Sequence, residues 1–381
     1  MSGIYIHIPF CKKKCHYCNF FSLASQKHKA PFLTALKQEI GLTCNYLGGE
    51  TVNTLYFGGG TPSLYPPAAL QQVMELALSL NPGNSGLPAV TREFTLELNP
   101  DDITEDYVSQ LRETWFNRFS IGIQSFSDND LACLNRTHSA AQAIRAVKLL
   151  HDAGYYNISI DLIYGIPGST PPRWKENLDI ALSLGIPHIS AYALTVEPRT
   201  PLAWMIDREK SAPVIDELQE EQFRALIAMT RANGYQQYEI SNFCKPGHHA
   251  LHNTNYWKGV PYLGLGPSAH SYNGSARRWN IPNLTGYMAA MAKGEAVFEE
   301  EILTPEQRYN EYVMTSLRTM WGCDGSSILH DFGPEVYESF INGIPLLISR
   351  GWLTESSGVY LLTDEGKLFA DRVASELFMT G

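Results

Sequence analysis

The sequence predicts an α/β fold, a partial (β/α)6 TIM-like barrel followed by a smaller C-terminal helical unit of winged-helix-like pattern. Three observations predict it: six short β-branched or alternating runs take turns with helix-patterned segments, polar residues recur where those runs end, and after residue 300 closely spaced helical patterns replace the alternation. The composition agrees. The 381 residues are 44% hydrophobic and 18% charged, which suits a folded chain with a sizeable core and excludes disordered and fibrous classes. A net charge of −10 repels phosphate backbones and anionic lipids, so nucleic acid is not an expected partner.

The strands are expected at 3–8, 54–57, 93–98, 118–124, 157–164 and 188–195, with helices near 31–46, 67–80, 104–114, 139–153 and 172–184 between them. Each helix is long enough to serve as the crossover that parallel neighbours require, and six units rather than eight make the barrel partial. Residues 216–233 read as an amphipathic helix stopped at Gly234, and 236–240 as a further strand. Gly, Pro, Asn and His dominate 242–286, leaving no clear period. At Thr304-Pro305-Glu306-Gln307 a new helix starts, with Thr as cap, Pro at the first helical position and Gln closing a capping box. Tyr309, Val313, Leu317 and Met320 then fall on one face. A helix at 334–350, a hairpin around Gly358 and a helix at 363–378 follow. The chain thus divides into 1–240, 241–300 and 301–381. Residues 334–381 hold three Lys and Arg against seven Asp and Glu, the wrong sign for a DNA-binding winged helix, so this unit reads as a cap docked on the barrel.

The amino terminus lacks the charged-then-apolar pattern of a secretory signal, and the most apolar stretch, 180–196, is interrupted by Gly185, Pro187 and His188. A cytoplasmic chain without a membrane span is expected. Four of the seven cysteines are scattered, whereas Cys11, Cys15 and Cys18 form Cys-x3-Cys-x2-Cys just after the first strand, where the functional loops of a barrel emerge. Three thiolates can hold three irons of a cubane and leave the fourth open to an external ligand. A structural zinc site with His16 or Cys44, and a chance grouping of inert thiols, are the competing readings.

This spacing, with Tyr17 before the third cysteine, resembles the radical S-adenosylmethionine (SAM) superfamily. The resemblance implies a 4Fe–4S cluster whose open iron is chelated by S-adenosyl-L-methionine, and one-electron cleavage of that molecule to methionine and a 5'-deoxyadenosyl radical. Gly58-Gly59-Gly60-Thr61 closes the second strand, Glu97 and Gln124 stand near the ends of the third and fourth, and Asp161 lies in the fifth ahead of Gly165-Ile166-Pro167. Polar groups near strand ends on one rim converge on one mouth. By resemblance, Gly59, Gly60 and Thr61 meet the methionine part of the cofactor; Glu97, Gln124 and Asp161 contact it; Arg136 approaches its carboxylate; Tyr5 and Tyr17 supply aromatic contacts. Ala193 is a weaker match.

The runs IYIHIPFCKKKCHYCNFFS, LYFGGGTPSL, ELNPDD, SIGIQSF and DLIYGIPG cover the first ~170 residues and resemble oxygen-independent coproporphyrinogen III oxidase and its haem chaperone relatives, the HemW branch. Two departures favour the relatives. Phe20 stands where the oxidases carry a further cysteine, and ten residues precede Cys11 where they have a long extension. His252-Asn253-Thr254-Asn255-Tyr256-Trp257 matches the HNxxYW motif associated with haem in the chaperone branch. In that reading His252 gives an imidazole to iron and Tyr256 and Trp257 cover porphyrin surface; His248, His249 and His270 are rival ligands. Gly264-Leu265-Gly266 lacks the third glycine of a dinucleotide loop. The expected function is that of a haem-binding delivery protein in porphyrin metabolism, with a metal-binding iron-sulfur core. The alternatives are oxidative decarboxylation of porphyrinogen propionates and a different radical chemistry. Haem-accepting proteins, a flavodoxin or ferredoxin donor and peripheral membrane contact are the partners the resemblance implies.

Overall fold

The computed structural model describes residues 1–84 and 93–379. Six strands, β1 (Ser2–Ile8), β2 (Val52–Gly59), β3 (Glu93–Leu98), β4 (Arg118–Gln124), β5 (Ile158–Tyr164) and β6 (His188–Ala193), pair parallel in chain order. The strand period of two sorts their side chains. Thr95 and Glu97, Arg118 and Ser120, Ser159 and Asp161, His188 and Ser190 line an inner cavity of about 230 Å³. The alternate residues, including Leu96, Phe119, Ile121, Ile160 and Ile189, are buried in the main apolar core. The crossover helices complete that core with Phe32, Leu36 and Ile40 of Lys29–Thr43 and Ala143, Val147 and Leu150 of Ala140–Asp152. A capping box between Ser139 and Gln142 fixes where the latter helix starts.

Residues 236–302 extend this sheet at both edges, the strand expected at 236–240 forming as Gln236–Glu239 and 242–286 supplying strands that no clear period announces. β7 (Gln236–Glu239) and β8 (Asn242–Cys244) join antiparallel beside β6. β9 (Tyr262–Leu265) pairs parallel with β1, and β10 (His270–Tyr272), β11 (Ala276–Asn280) and β12 (Phe298–Ile302) continue outward antiparallel. A buried carboxylate ties this extension down. Glu39 accepts from the Gly266 amide at 2.7 Å, the Tyr287 hydroxyl at 2.6 Å and Asn280 Nδ2 at 2.5 Å.

The C-terminal unit has its own core around Tyr309, Val313, Leu317, Phe340 and Leu347, and a three-stranded sheet of β13 (Cys323–Asp324), β14 (Leu353–Ser356) and β15 (Val359–Leu362). The capping box at Thr304 forms with both halves present. Met320 does not share the buried face: the helix ends at Leu317, and Met320 is 42% exposed while its amide donates to the Tyr238 carbonyl. The helix expected over 363–378 is divided into a 3-10 turn, Gly366–Phe369, and a short helix, Ala370–Ser375. At Gly366 a Cβ would lie 1.9 Å from the Trp352 carbonyl, so the chain there follows the approach to Trp352 rather than a regular helix. Ion pairs Arg231–Asp364 and Arg224–Glu365, both 2.7 Å, and the bond from the Ile240 amide to the Arg318 carbonyl hold the unit against the barrel. Among the described residues no helix is long and apolar enough to cross a membrane.

Candidate functional site

The cysteine loop leaves β1 and is pinned along its length. The Cys11 amide donates to the Leu23 carbonyl, the Leu23 amide to the Pro9 carbonyl, and Asn135 Nδ2 to the Lys14 carbonyl at 2.9 Å. Two short helices not legible in the sequence, Asp128–Cys133 and Pro201–Asp207, buttress it: His16 donates its amide to the Leu134 carbonyl and accepts the Leu202 amide. Its ring Nδ1 is turned to the Cys133 carbonyl at 3.0 Å, away from a zinc-ligand role. Among the described residues no three His, Cys, Asp or Glu side chains converge on one point as ligands of a single metal ion do. Cys11, Cys15 and Cys18 instead line one wall of a cavity of about 580 Å³. Burial pushes the Cys11 and Cys18 thiols up from their ordinary range, so a cationic metal centre would be what brings them to thiolates.

The opposite wall comes from the carboxyl ends of the strands, as in open parallel sheets generally. Gly59, Gly60 and Thr61 follow β2, and here the absence of side chains is a steric requirement. A Cβ on Gly60 would lie 2.6 Å from the Phe10 carbonyl, and Gly59 has φ +103 with His7 Nδ1 2.5 Å from its Cβ position. Glu97 accepts from the Tyr56 hydroxyl at 2.8 Å and the Gly59 amide at 3.1 Å. Burial raises its carboxyl to about 7, with the nearby Asp161 charge adding to the shift, and burial raises Asp161 to about 6 although Ser120 donates to it. Gln124 has φ 70 at a register shift between β4 and β5, which turns it to the cavity. Arg136 is held by Asn99 Oδ1 at 2.8 Å and the Gly122 carbonyl at 2.6 Å, lies 3.4 Å from Cys15 Sγ, and keeps a buried Nε without a partner among the described residues. That orphaned donor beside the thiols suits an anionic ligand group.

Tyr17, Gly59, Gly60, Thr61, Glu97, Gln124, Arg136 and Asp161 thus share this cavity with the three cysteines, as does Ala193. Tyr5 stands apart, between the inner cavity and a third one. Asn99, Ser120, Tyr192 and Glu197 also line the main cavity without having been singled out in the sequence. The rule that strand ends converge on one rim would have found Tyr192 and Asn99.

The HNxxYW segment forms the helix Leu251–Trp257 at the amino ends of the strands, where the Glu93 carboxylate accepts the Leu251 and His252 amides, both at 2.9 Å. His252 is buried, stacked on Tyr56, with Nδ1 bonded to Thr54 Oγ1 and Nε2 to the Tyr256 hydroxyl, each at 2.8 Å. Burial lowers its pKa to about 3. It lines the inner cavity with Tyr256, and Tyr256 and Trp257 line a third cavity of about 900 Å³ between the cysteine loop, β9–β11 and the C-terminal unit. Of the rivals, His270 lines that third cavity, His248 is exposed elsewhere, and His249 packs between Tyr238 and Trp321.

A partial parallel barrel with a three-cysteine loop at the mouth defines a class, and the comparisons agree with it. The profile of the radical SAM superfamily matches residues 5–181. A Bacillus subtilis protein described as heme chaperone HemW is 32% identical over 375 residues, covering 98% of each chain. The Escherichia coli protein of that description is also 32% identical, over 99% of this chain and 98% of its own. Among solved structures, one described as coproporphyrinogen III oxidase (HemN) from Escherichia coli, a radical SAM enzyme, superposes with TM-score 0.84 at 25% identity, covering 99% of this chain and 90% of that one. The chain belongs to the HemW family of the radical SAM superfamily.

Proposed function

We propose that this protein binds a 4Fe–4S cluster through Cys11, Cys15 and Cys18, S-adenosyl-L-methionine beside it, and haem, and that it delivers haem to acceptor proteins. The carrying observation is that the three thiols and eight of the nine cofactor-contact residues expected from the sequence line one cavity. Full-length likeness to proteins described as heme chaperones supports haem as cargo. When bound, the cluster supplies an open iron and an electron for the SAM sulfonium. The chain's own part is to hold and exclude. Arg136, fixed by Asn99 and the Gly122 carbonyl, offers its free Nε to a carboxylate. Glu97 keeps the Gly59 amide and Tyr56 hydroxyl in place, and the loop bonds keep the thiols at the mouth. A flavodoxin or ferredoxin is the proposed electron donor, and membrane-bound acceptors would account for peripheral membrane contact.

The likeness to HemN supports a second reading, decarboxylation of porphyrinogen propionates. An anaerobic assay with the reconstituted full chain separates the two. Haem transfer to an apo-acceptor without turnover of coproporphyrinogen is the expected result, and turnover would replace the first reading by the second.

A further inference from the structure

The HNxxYW histidine faces one cavity and Trp257 another, with Tyr256 bordering both. The inner cavity that His252 faces holds about 230 Å³, below the roughly 300–1,000 Å³ of ordinary small-molecule sites, and both ring nitrogens of His252 are already bonded. The third cavity holds about 900 Å³. Its sheet wall is set by register. Tyr272 pairs with both Tyr262 and Arg277, and His270 lies two residues before Tyr272, so all four side chains share one face. His270 is exposed and has no side-chain hydrogen bond among the described residues, its one recorded ring neighbour being Trp279. Tyr256 and Trp257 border the same space, and Trp257 has a buried Nε1 with no partner among the described residues.

The charges balance in favour of an anionic planar ligand. Lys258, Arg277 and Arg308 line the cavity against Glu311 and Asp331. Arg277 is held by Glu311 at 2.9 Å and keeps a buried Nε unpaired; Arg308 is exposed and in no ion pair among the described residues. Phe20, 71% exposed, belongs to both this cavity and the cysteine cavity, so an apolar ring otherwise left in water marks the passage between them.

We infer that this third cavity is the haem site, with His270 as the axial ligand, Tyr256 and Trp257 against the porphyrin face, and Arg277 and Arg308 pairing with the propionates. The inference rests on the reading of the protein as a haem carrier and relocates the ligand from the motif histidine. His252 then serves as a positioning residue, holding Tyr256 through its Nε2.

Ferric haem is titrated into the anaerobically purified full chain and followed by the Soret band and electron paramagnetic resonance. Wild type should bind one equivalent. His270→Ala should weaken binding at least about tenfold and lose the imidazole-ligated signature, free imidazole should restore it, and His270→Met should give a distinct thioether-ligated spectrum. His252→Gln should keep the imidazole-ligated signature and lower the affinity only as far as a loosened Tyr256 does. Arg277→Leu should weaken haem but not haem dimethyl ester, and metal-free protoporphyrin should be insensitive to His270→Ala. Wild-type spectra in both His270 variants, with the signature lost in His252→Gln, would overturn the assignment while leaving a haem carrier. Failure of wild type to bind haem would overturn the functional reading and this site together.

Discussion

Glu97 and Asp161 border both the cysteine cavity and the inner one, and burial raises both carboxyls, to about 7 and about 6. Raised folded-state values mean that the folded chain binds more protons than the unfolded chain between the ordinary carboxyl range and those values. Stability is therefore fully present at low pH and falls as pH rises from about 4.5 towards 7. Glu97→Gln removes one of the two charges. It should raise stability at pH 8 relative to wild type by on the order of 2 kcal/mol and change it little at pH 5, measured by denaturant unfolding of the cluster-free chain. Asp161→Asn should in turn bring the Glu97 carboxyl closer to its ordinary value, because the Asp161 charge adds to its shift. At the cysteines the expected outcome concerns loading rather than folding. Cys15→Ser should abolish the broad visible absorption of the reconstituted cluster and SAM binding, with the far-ultraviolet dichroism unchanged.

Elements built on a clear period or a cap were legible, and those built on tertiary contact were not. The six parallel strands and their crossover helices follow alternation and helical spacing that the chain displays locally. The Thr304 box also forms as expected; Thr304→Ala should cost about 1 kcal/mol in unfolding experiments. By contrast β8, β9 and β10 are three or four residues long, too short for periodicity to register, and the buried Glu39 that organises the β9–β11 edge lies over two hundred residues away in sequence. At the glycine turn after β2 the requirement is steric. Gly60→Ala would press a methyl group against the Phe10 and Ile8 carbonyls, at 2.6 and 2.8 Å, so the turn must shift. SAM affinity measured by equilibrium dialysis should fall at least tenfold, with the thermal midpoint lowered by a few degrees.

For the whole molecule, the mouth of the barrel could be read from the sequence because most of its groups lie in or just after a parallel strand or in the cysteine loop, Arg136 after the helix Asp128–Cys133 being the exception that the resemblance supplied. The third cavity could not. It is assembled from the cysteine loop, β9–β11 and the helix after Thr304, segments that meet only because the extended sheet carries the C-terminal unit round towards the barrel. The motif histidine illustrates the difference: Trp257 faces that space and Tyr256 borders both cavities, while a helix capped by Glu93 points His252 into the inner cavity alone. The central claim is that the three thiols carry a cluster with one iron free for SAM, and electron paramagnetic resonance of the anaerobically reconstituted, dithionite-reduced chain tests it most directly. A cubane signal whose g-values shift when SAM is added is the predicted result. A zinc-loaded, signal-free protein, or a cubane spectrum indifferent to SAM, would contradict it.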